Sequence, residues 1–453
     1  MEPFRHHIYI CTQKKAEGAP SCSAHGSAEV LAALRRELAA QGLADQVQVT
    51  TCGSLGLCDW GPNMVVYPEG IWYSGVRPGD AAEIVRDHVA GGRVVERLVS
   101  GSREAVRVEI DANRAKMLAA LRAQEEAGAL PEELSQAVNG FRESRVLLTA
   151  IELDLFSAVG EGADARTVAR KLGTDPRATE SLLNALTALG VLQKRDGSFR
   201  NTPETAPYLA EGGARDARAA LLHTVHLWPR WSTLTECIRE GTSVTRRTAQ
   251  GPEAGWTTAF IAAMHRNAAF RAPVVARAVG LEGVRRVLDL GGGSGAYSIA
   301  FAQAQPGLTA DILDLAAVIP IAQRHIDEAG LTDRVHPRVG NIGDDRYGEG
   351  YDLVFLSAIC HMNGPEENRA MLAKAHAALA PGGRVAIQDF ILNPDKAGPK
   401  TGALFALNML VGTRAGSTYN EAEYAAWLGD AGFGEIRRVH LPGPTDLIVA
   451  RKG

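Results

Sequence analysis

Residues 285–303 read RRVLDLGGGSGAYSIAFAQ. The apolar run VLDL is the pattern of a short strand buried on both faces. Gly291, Gly292, Gly293 and Gly295 then let a ligand approach the backbone closely, because no Cβ stands in the way. AYSIAFAQAQ opens a helix, whose unpaired N–H groups favour an anionic group. Strand, glycine turn and helix in that order predict one unit of a parallel α/β sheet. Taken alone the loop leaves its ligand open, since Gly291-x-Gly293-x-x-Ala296 also fits the dinucleotide fingerprint. The next strand, LTADILDL (308–315), ends at Asp314, where a carboxylate can bind the ribose hydroxyls of either NAD or S-adenosylmethionine. Asp289, directly ahead of the glycines, suits the cationic aminoacyl end of S-adenosylmethionine. That molecule has no phosphate, so its site needs glycines and carboxylates but no basic clamp.

The alternation continues downstream. RVHPRVGNI (334–342) and YDLVFLSAIC (351–360) read as strands, and NRAMLAKAHAALAPGG (368–383) as a helix with a glycine stop. RVAIQDFIL (384–392) is another strand and NEAEYAAWLGDAGF (420–433) another helix. IRRVHL and TDLIVARK close the chain without an intervening helix, which predicts an antiparallel edge pair.

Upstream the texture is helical. FRESRVLLTAIELDLFSAV (141–159) has apolar residues at helical spacing, and residues 163–209 read helix, turn, helix and short hairpin, a winged-helix pattern. A DNA reader would need a basic second helix. The candidate, DPRATESLLNALTALGVL (175–192), is mostly apolar, which favours burial against another protein surface.

The first hundred residues form a second α/β pattern. HHIYIC reads as a strand and SAEVLAALRRELAAQG as a helix with Ser27 as N-cap. QVQVTTC is a strand ending at Cys52, and NMVVYPEG with IWYSGV is a hairpin turning at Pro68-Glu69-Gly70. Cys11, Cys22, Cys52 and Cys58 all fall at strand ends or in loops, while Cys237 and Cys360 are alone. Two such loops that meet would offer four thiolates to iron or to zinc. Residues 101–136 are charged and helical with little apolar face, as expected of a linker.

HIYICTQ, CSAHGSAEVL and VTTCGSLGLCDWGPNMVVYPEGIWYSGV resemble the thioredoxin-like 2Fe–2S ferredoxins over residues 5–98. The resemblance implies a 2Fe–2S cluster held by four cysteines. That family commonly has a cysteine where Ser54 stands, so Cys52 is the expected substitute beside Cys11, Cys22 and Cys58, with the Ser54 oxygen or an incomplete site as alternatives.

Residues 137–453 resemble the class I O-methyltransferases of the caffeate, acetylserotonin and hydroxyneurosporene type, through the winged-helix segment, LDLGGGSG, ILDLAAVI and AICHMNGPEENR. This implies a Rossmann-like seven-stranded domain, S-adenosylmethionine as methyl donor and a homodimer. His361 matches the family's catalytic base and Asp389, in IQDFIL, the acid that orients it. Asn341 stands where many members have an aspartate near the adenine end, and a second family carboxylate would fall near Thr418. The chemistry agrees, because a histidine suits removal of a proton from a phenol or thiol near neutral pH. His226, Trp228 and Trp231 in HTVHLWPRW, with Met264 and His265, are candidates for the acceptor pocket.

The chain is thus expected to be multidomain α/β. Its parts are a thioredoxin-like 2Fe–2S ferredoxin domain (1–100), a helical linker (101–136), a winged-helix dimerisation domain (137–250) and a methyltransferase domain (251–453). With 45% hydrophobic and 22% charged residues it reads as a soluble globular protein, and a net charge of −4 gives no reason to expect a nucleic-acid or membrane partner. MEPFRHHIYICTQ lacks a signal-peptide pattern, so the expected location is cytoplasmic. The expected function is methylation of a small hydroxyl or thiol acceptor. The fused cluster would sense redox state or meet an electron-donor protein. The alternative is a redox-responsive regulatory or electron-transfer protein whose methyltransferase fold only binds S-adenosylmethionine or its demethylated product.

Overall fold

The structure is a computed structural model that describes residues 3–15, 19–128, 130–245 and 256–453, with side chains undescribed at 124–126 and 256–259. The chain divides into two compact units, Met1–Ala137 and Val138–Gly453. The expected boundary at 250/251 lies outside the described residues.

In the first unit, β1 (His6–Cys11) is followed by α1 (Ser27–Ala40), β2 (Val47–Cys52), β3 (Met64–Tyr67) and β4 (Ile71–Tyr73). The sheet order is β2-β1-β3-β4, with β2 parallel to β1 and the other pairs antiparallel. A short helix α2 (Ala81–Glu83) runs on into a π-helical segment, Ile84–Ala90. Ile8, Ile10, Val30, Leu34, Met64, Val66 and Ile84 form the core between sheet and helices. Ser27 is not the N-cap of α1. Gly26 holds that place at φ 84°, and the Ser27 hydroxyl is buried without a hydrogen-bond partner. The expected linker is a 24-residue helix α3 (Arg103–Glu126), exposed along most of its length, then α4 (Glu132–Asn139) across the unit boundary. The Asn113 amide on α3 donates to the Gly56 carbonyl at 2.9 Å, so this helix is docked on the Cys52–Cys58 loop.

The second unit begins with α5 (Phe141–Glu152) and α6 (Leu155–Val159), separated where Asp154 takes φ 53°. The helices α7 (Ala165–Leu172) and α8 (Pro176–Ala188) lead into the β5/β6 hairpin (Leu192–Arg195, Ser198–Asn201), as the winged-helix pattern predicted. Asp164 and Asp175 cap α7 and α8, each side chain accepting a backbone N–H two or three residues into the helix. On α8, Leu183 and Leu186 are buried against this chain's own helices, which accounts for much of its apolar character. Then come α9 (Ala206–Leu209), α10 (Arg218–Trp231), α11 (Leu234–Glu240) and α12 (Trp256–Val279).

The large sheet follows. Its strands are β7 (Arg286–Leu290), β8 (Thr309–Asp314), β9 (Val335–Val339), β10 (Tyr351–Ser357) and β11 (Leu379–Asp389), with α13 (Ala296–Ala304), α14 (Ile319–Glu328) and α15 (Pro365–Ala378) between them. After a two-stranded ladder of β12 (Ile391–Leu392) and β13 (Tyr419–Asn420), α16 (Lys400–Gly412) and α17 (Glu421–Asp430), the sheet closes with β14 (Phe433–Val439) and β15 (Asp446–Lys452). Strand order is β14-β15-β11-β10-β7-β8-β9. β15 alone runs against its neighbours, and it lies inside the sheet with β14 at the edge. The expected antiparallel pair is present, but its later strand is the inner one. Leu379, predicted inside a helix, opens β11, so α15 stops before the glycines Gly382 and Gly383.

Candidate functional site

The glycine loop sits at the carboxyl end of β7, where parallel α/β sheets bind ligands. Three of its glycines have physical reasons to be glycine. A Cβ on Gly291 would collide with Ile359, one on Gly292 would lie 2.7 Å from Asp289 Oδ2, and one on Gly295 would press on Ile312 at 3.0 Å. Gly291, Gly293 and Gly295 have φ of 68°, 57° and 78°, the left-handed region. Around the Cβ position of Gly293 there is open space, so this glycine faces a void at the strand end.

The loop is pinned by carboxylates. Asp314 Oδ2 accepts the Gly293 N–H at 2.8 Å and Oδ1 accepts the Leu315 N–H at 2.7 Å. Burial raises the Asp314 pKa against the effect of those bonds. Asp289 is more extreme. It is 1% exposed, and desolvation pushes it up to about 7, only partly offset by the Ser298 hydroxyl that donates to Oδ2 at 2.6 Å. Its Oδ1 is buried with no partner. A buried carboxylate oxygen left unpaired costs free energy, and a cationic donor brought to it recovers that cost. The ammonium of an aminoacyl group is such a donor, so the residues present fit S-adenosylmethionine. The Asn341 amide is exposed and engaged in its own turn, with Asp344 at 2.6 Å and the Gly343 N–H at 2.9 Å.

His361 lies in a single 3₁₀ turn, Cys360–Met362, just past β10. Its Nδ1 is 2.6 Å from Asp389 Oδ1 at the end of β11. Asp389 also accepts the His361 N–H at 3.1 Å and the Phe390 N–H at 2.9 Å. A carboxylate at this distance accepts a hydrogen bond from Nδ1–H, and in that tautomer the lone pair of the ring is on Nε2. Phe405 on α16 meets the imidazole edge-on at 4.8 Å and stacks on Phe390 at 4.2 Å. These two aromatic walls lay outside the sequence reasoning, because a lone Phe carries no signal of what it faces. Thr418 is buried and donates to the Gly402 carbonyl, a bond that ties β13 to α16. Trp231 donates to the Asn408 side chain on α16 at 2.9 Å, which joins the end of α10 to this wall. His265 instead bonds Ser294 of the glycine loop at 2.8 Å.

Residues 231–434 match the O-methyltransferase domain and residues 135–211 the O-methyltransferase dimerisation domain. The 3-hydroxy-5-methyl-1-naphthoate 3-O-methyltransferase of Streptomyces sahachiroi is 36% identical over 323 residues, covering 69% of this chain and 92% of that protein. This chain belongs to the O-methyltransferase family. Bovine (Bos taurus) acetylserotonin O-methyltransferase is 32% identical over 70% of this chain and 97% of its own length. The solved structure of PigF with SAH superposes with a TM-score of 0.65 at 30% identity, covering 71% of this chain and all of that one. As an O-methyltransferase the chain is an S-adenosylmethionine-dependent enzyme of a family with small-molecule substrates. Both family matches fall in residues 135–434, within the helical and large-sheet part.

The cysteines of the first unit lie at one end of its sheet. Cys11 and Cys52 are opposite each other in the parallel β1/β2 register. A hydrogen bond from Cys22 lowers the Cys11 thiol to about 6 and drives Cys22 far up in return. The Asn63 amide also points at Cys22 Sγ, at 3.4 Å. Cys58 pairs with the Ser54 hydroxyl at 3.1 Å. A Cβ on Gly61 would lie 2.9 Å from Cys22 Sγ and 3.4 Å from the Cys58 carbonyl, so the two cysteine loops do approach each other. Among the described residues, however, no group of three or more His, Cys, Asp or Glu side chains is gathered to hold a metal ion. The thiols supply the right donor chemistry for iron and sulfide, yet they stand as pairs rather than as a closed tetrad. Nor is any described helix long and apolar enough to cross a membrane.

Proposed function

We propose that the second unit transfers the methyl group of S-adenosylmethionine to a hydroxyl on a small aromatic acceptor, with His361 as general base. The observation that carries this is the His361–Asp389 pair at 2.6 Å, because it leaves Nε2 as the only free proton acceptor of that ring. The stacked Phe390 and Phe405 suit a flat acceptor, and the relatives named above act on a hydroxynaphthoate and on acetylserotonin. Gly291, Gly292, Gly293, Gly295, Asp289 and Asp314 hold the donor, with Asn341 at its adenine end. The bound donor supplies an electrophilic methyl on a cationic sulfur. As the acceptor oxygen takes that methyl, its proton passes to His361 Nε2, and Asp389 stabilises the imidazolium that results. The carbon–sulfur bonding pair stays on sulfur, and S-adenosylhomocysteine leaves. Incubation with labelled donor and a panel of phenols, thiols and amines tests the reading. Label should reach a phenol oxygen, and label on thiols alone would replace the hydroxyl with a sulfur acceptor. The chain should be a homodimer of twice its 48.2 kDa mass by light scattering, as the dimerisation segment implies.

A second reading is favoured by the first unit. The β2-β1-β3-β4 order and the four thiols at one sheet end support a thioredoxin-like domain that takes a 2Fe–2S cluster on Cys11, Cys22, Cys52 and Cys58. Loading must then draw the paired thiols together, with redox sensing or contact to an electron donor as its purpose. Anaerobically purified protein should carry roughly two irons and two sulfides per chain and absorb visibly. Replacing Cys52 with serine should lower iron content more than replacing Ser54 with alanine. Colourless protein with stoichiometric zinc would end this reading.

A further inference from the structure

The glycine loop has a neighbour that the transfer chemistry does not use. His265, on α12, bonds Ser294 Oγ through Nδ1 at 2.8 Å, and Ser294 is 3% exposed between Gly293 and Gly295. One face of the His265 ring is covered by His325 of α14. The two imidazoles stack with centroids 4.0 Å apart and planes within 6°. His325 Nδ1 is 3.3 Å from Glu328, which is also 3.9 Å from Arg324. The loop therefore rests on a pair of titratable rings.

The two ligands that an S-adenosylmethionine-dependent enzyme exchanges differ by one charge. The donor has a sulfonium and the product a neutral thioether, while the aminoacyl and ribose parts are common to both. A fixed cation beside the loop opposes the donor and spares the product. We propose that the His265–His325 stack, acting through Ser294, discriminates donor from product as a function of pH, with His265 as a positioning residue for the donor loop. This rests on the donor site proposed above.

With His265 neutral and its proton on Nε2, Nδ1 accepts the Ser294 hydroxyl. With His265 protonated, Nδ1–H donates instead, so the serine hydroxyl must turn away and a positive charge stands behind the loop. Desolvation first, and then the facing His325, hold His265 below the ordinary histidine value, with Arg324 acting the same way and Glu328 against it. Neutral His265 is therefore the resting form near pH 7, and the charged form is reached only on acidification. Ser294, the contact from the loop, does not titrate.

The test is calorimetric, on the full chain. Dissociation constants of S-adenosylmethionine and S-adenosylhomocysteine are measured from about pH 7.5 to about pH 5.5. Their ratio is the readout, because the titration of Asp289 affects both ligands through the same ammonium and cancels. The wild-type ratio should move about three- to tenfold against the donor on acidification. His265→Gln, which can still accept from Ser294, should give a flat ratio, and His325→Gln should shift the pH of the transition. A wild-type ratio independent of pH, or a His265→Gln ratio that moves as the wild type does, overturns the proposal while leaving the donor site intact. Failure of the wild type to bind either ligand at any pH overturns both. Circular dichroism of each variant excludes misfolding as the cause of a flat profile.

Discussion

Cys11 and Cys22 are fully buried at one end of the first unit's sheet, and His361 is 5% exposed at the carboxyl end of the second unit's sheet. Around His361 the polar groups close on one another. Asp389 takes three N–H donors, two of them from His361 itself, and the Phe405 ring meets the imidazole edge-on. Around the thiols Cys11 meets Cys22, which also takes the Asn63 amide, and Cys58 meets Ser54, but no closed tetrad forms among the described residues. The His361 ring is thus held in place by this chain's own groups, and the general-base role proposed for it would need such fixed geometry, because reorganisation during a reaction adds to the barrier. The thiol end presents donor atoms with no such closed arrangement among the described residues, so the cluster proposed for it would have to impose one.

The largest effect that would break this contrast is on turnover. General-base removal costs about 10²–10⁴ in rate, so His361→Ala should lose that much kcat while donor affinity stays near wild type. Asp389→Asn should lose less, since the imidazole remains without its orienting charge. Wild-type turnover by His361→Ala at pH 7 with a protonated phenol would make the pre-built site a structural one. Next in size is the donor carboxylate. Hydrogen bonds to a charged group contribute about 1.5–3 kcal/mol each, so Asp314→Ala should weaken donor binding by at least about tenfold. Unchanged affinity by calorimetry would place the ribose elsewhere.

The smallest effect concerns stability. The folded protein holds the Asp289 proton up to about pH 7, whereas a free aspartate releases it at about 3.9. The unfolded chain releases the proton first, so stability is full below the lower value and is lost as pH rises toward the upper one. Asp289→Asn should then raise the Tm of donor-free protein at pH 8 by a few degrees, about 2–4 °C per kcal/mol for a domain of this size. The same change should weaken donor binding. A lower Tm at pH 8 would mean that the carboxylate is satisfied in the donor-free state.

Much of the second unit was legible because its signals are periodic or local. Alternating apolar strands and amphipathic helices give the sheet, and a run of four glycines in five residues marks the loop. The antiparallel pairing of β14 with β15 was also readable, but the insertion of β15 beside β11 was not, since strand order is decided by long-range packing. His361 and Asp389 were found through family likeness. Their 28-residue separation has no local signature, and only β10 and β11 lying side by side brings them together. His265 is a different case. In the sequence it groups with His226, Trp228, Trp231 and Met264 for the acceptor pocket, and its Nδ1 bonds Ser294 of the glycine loop, because helical spacing does not say which neighbour a face will meet. In the first unit the strands and the hairpin at Pro68–Gly70 were readable. The docking of α3 on Gly56 was not, because a charged helix gives little sign of which side it lays down.

The position of β15 has a consequence for biogenesis. Asp389 is directly opposite Asp446 in the β11/β15 ladder, and Leu447, Ile448, Val449 and Ala450 are buried between β11 and β14. A polypeptide emerging from the ribosome can form the first five strands of the large sheet early, but a gap persists beside β11 until residues 446–452 are released. The strand that presents Asp389 therefore has an unpaired edge until residues 446–452 reach it. Ribosome-stalled chains ending before residue 446 should accordingly expose that edge to chaperones, and pairing of the strand that carries Asp389 waits on a segment 57 residues downstream of it.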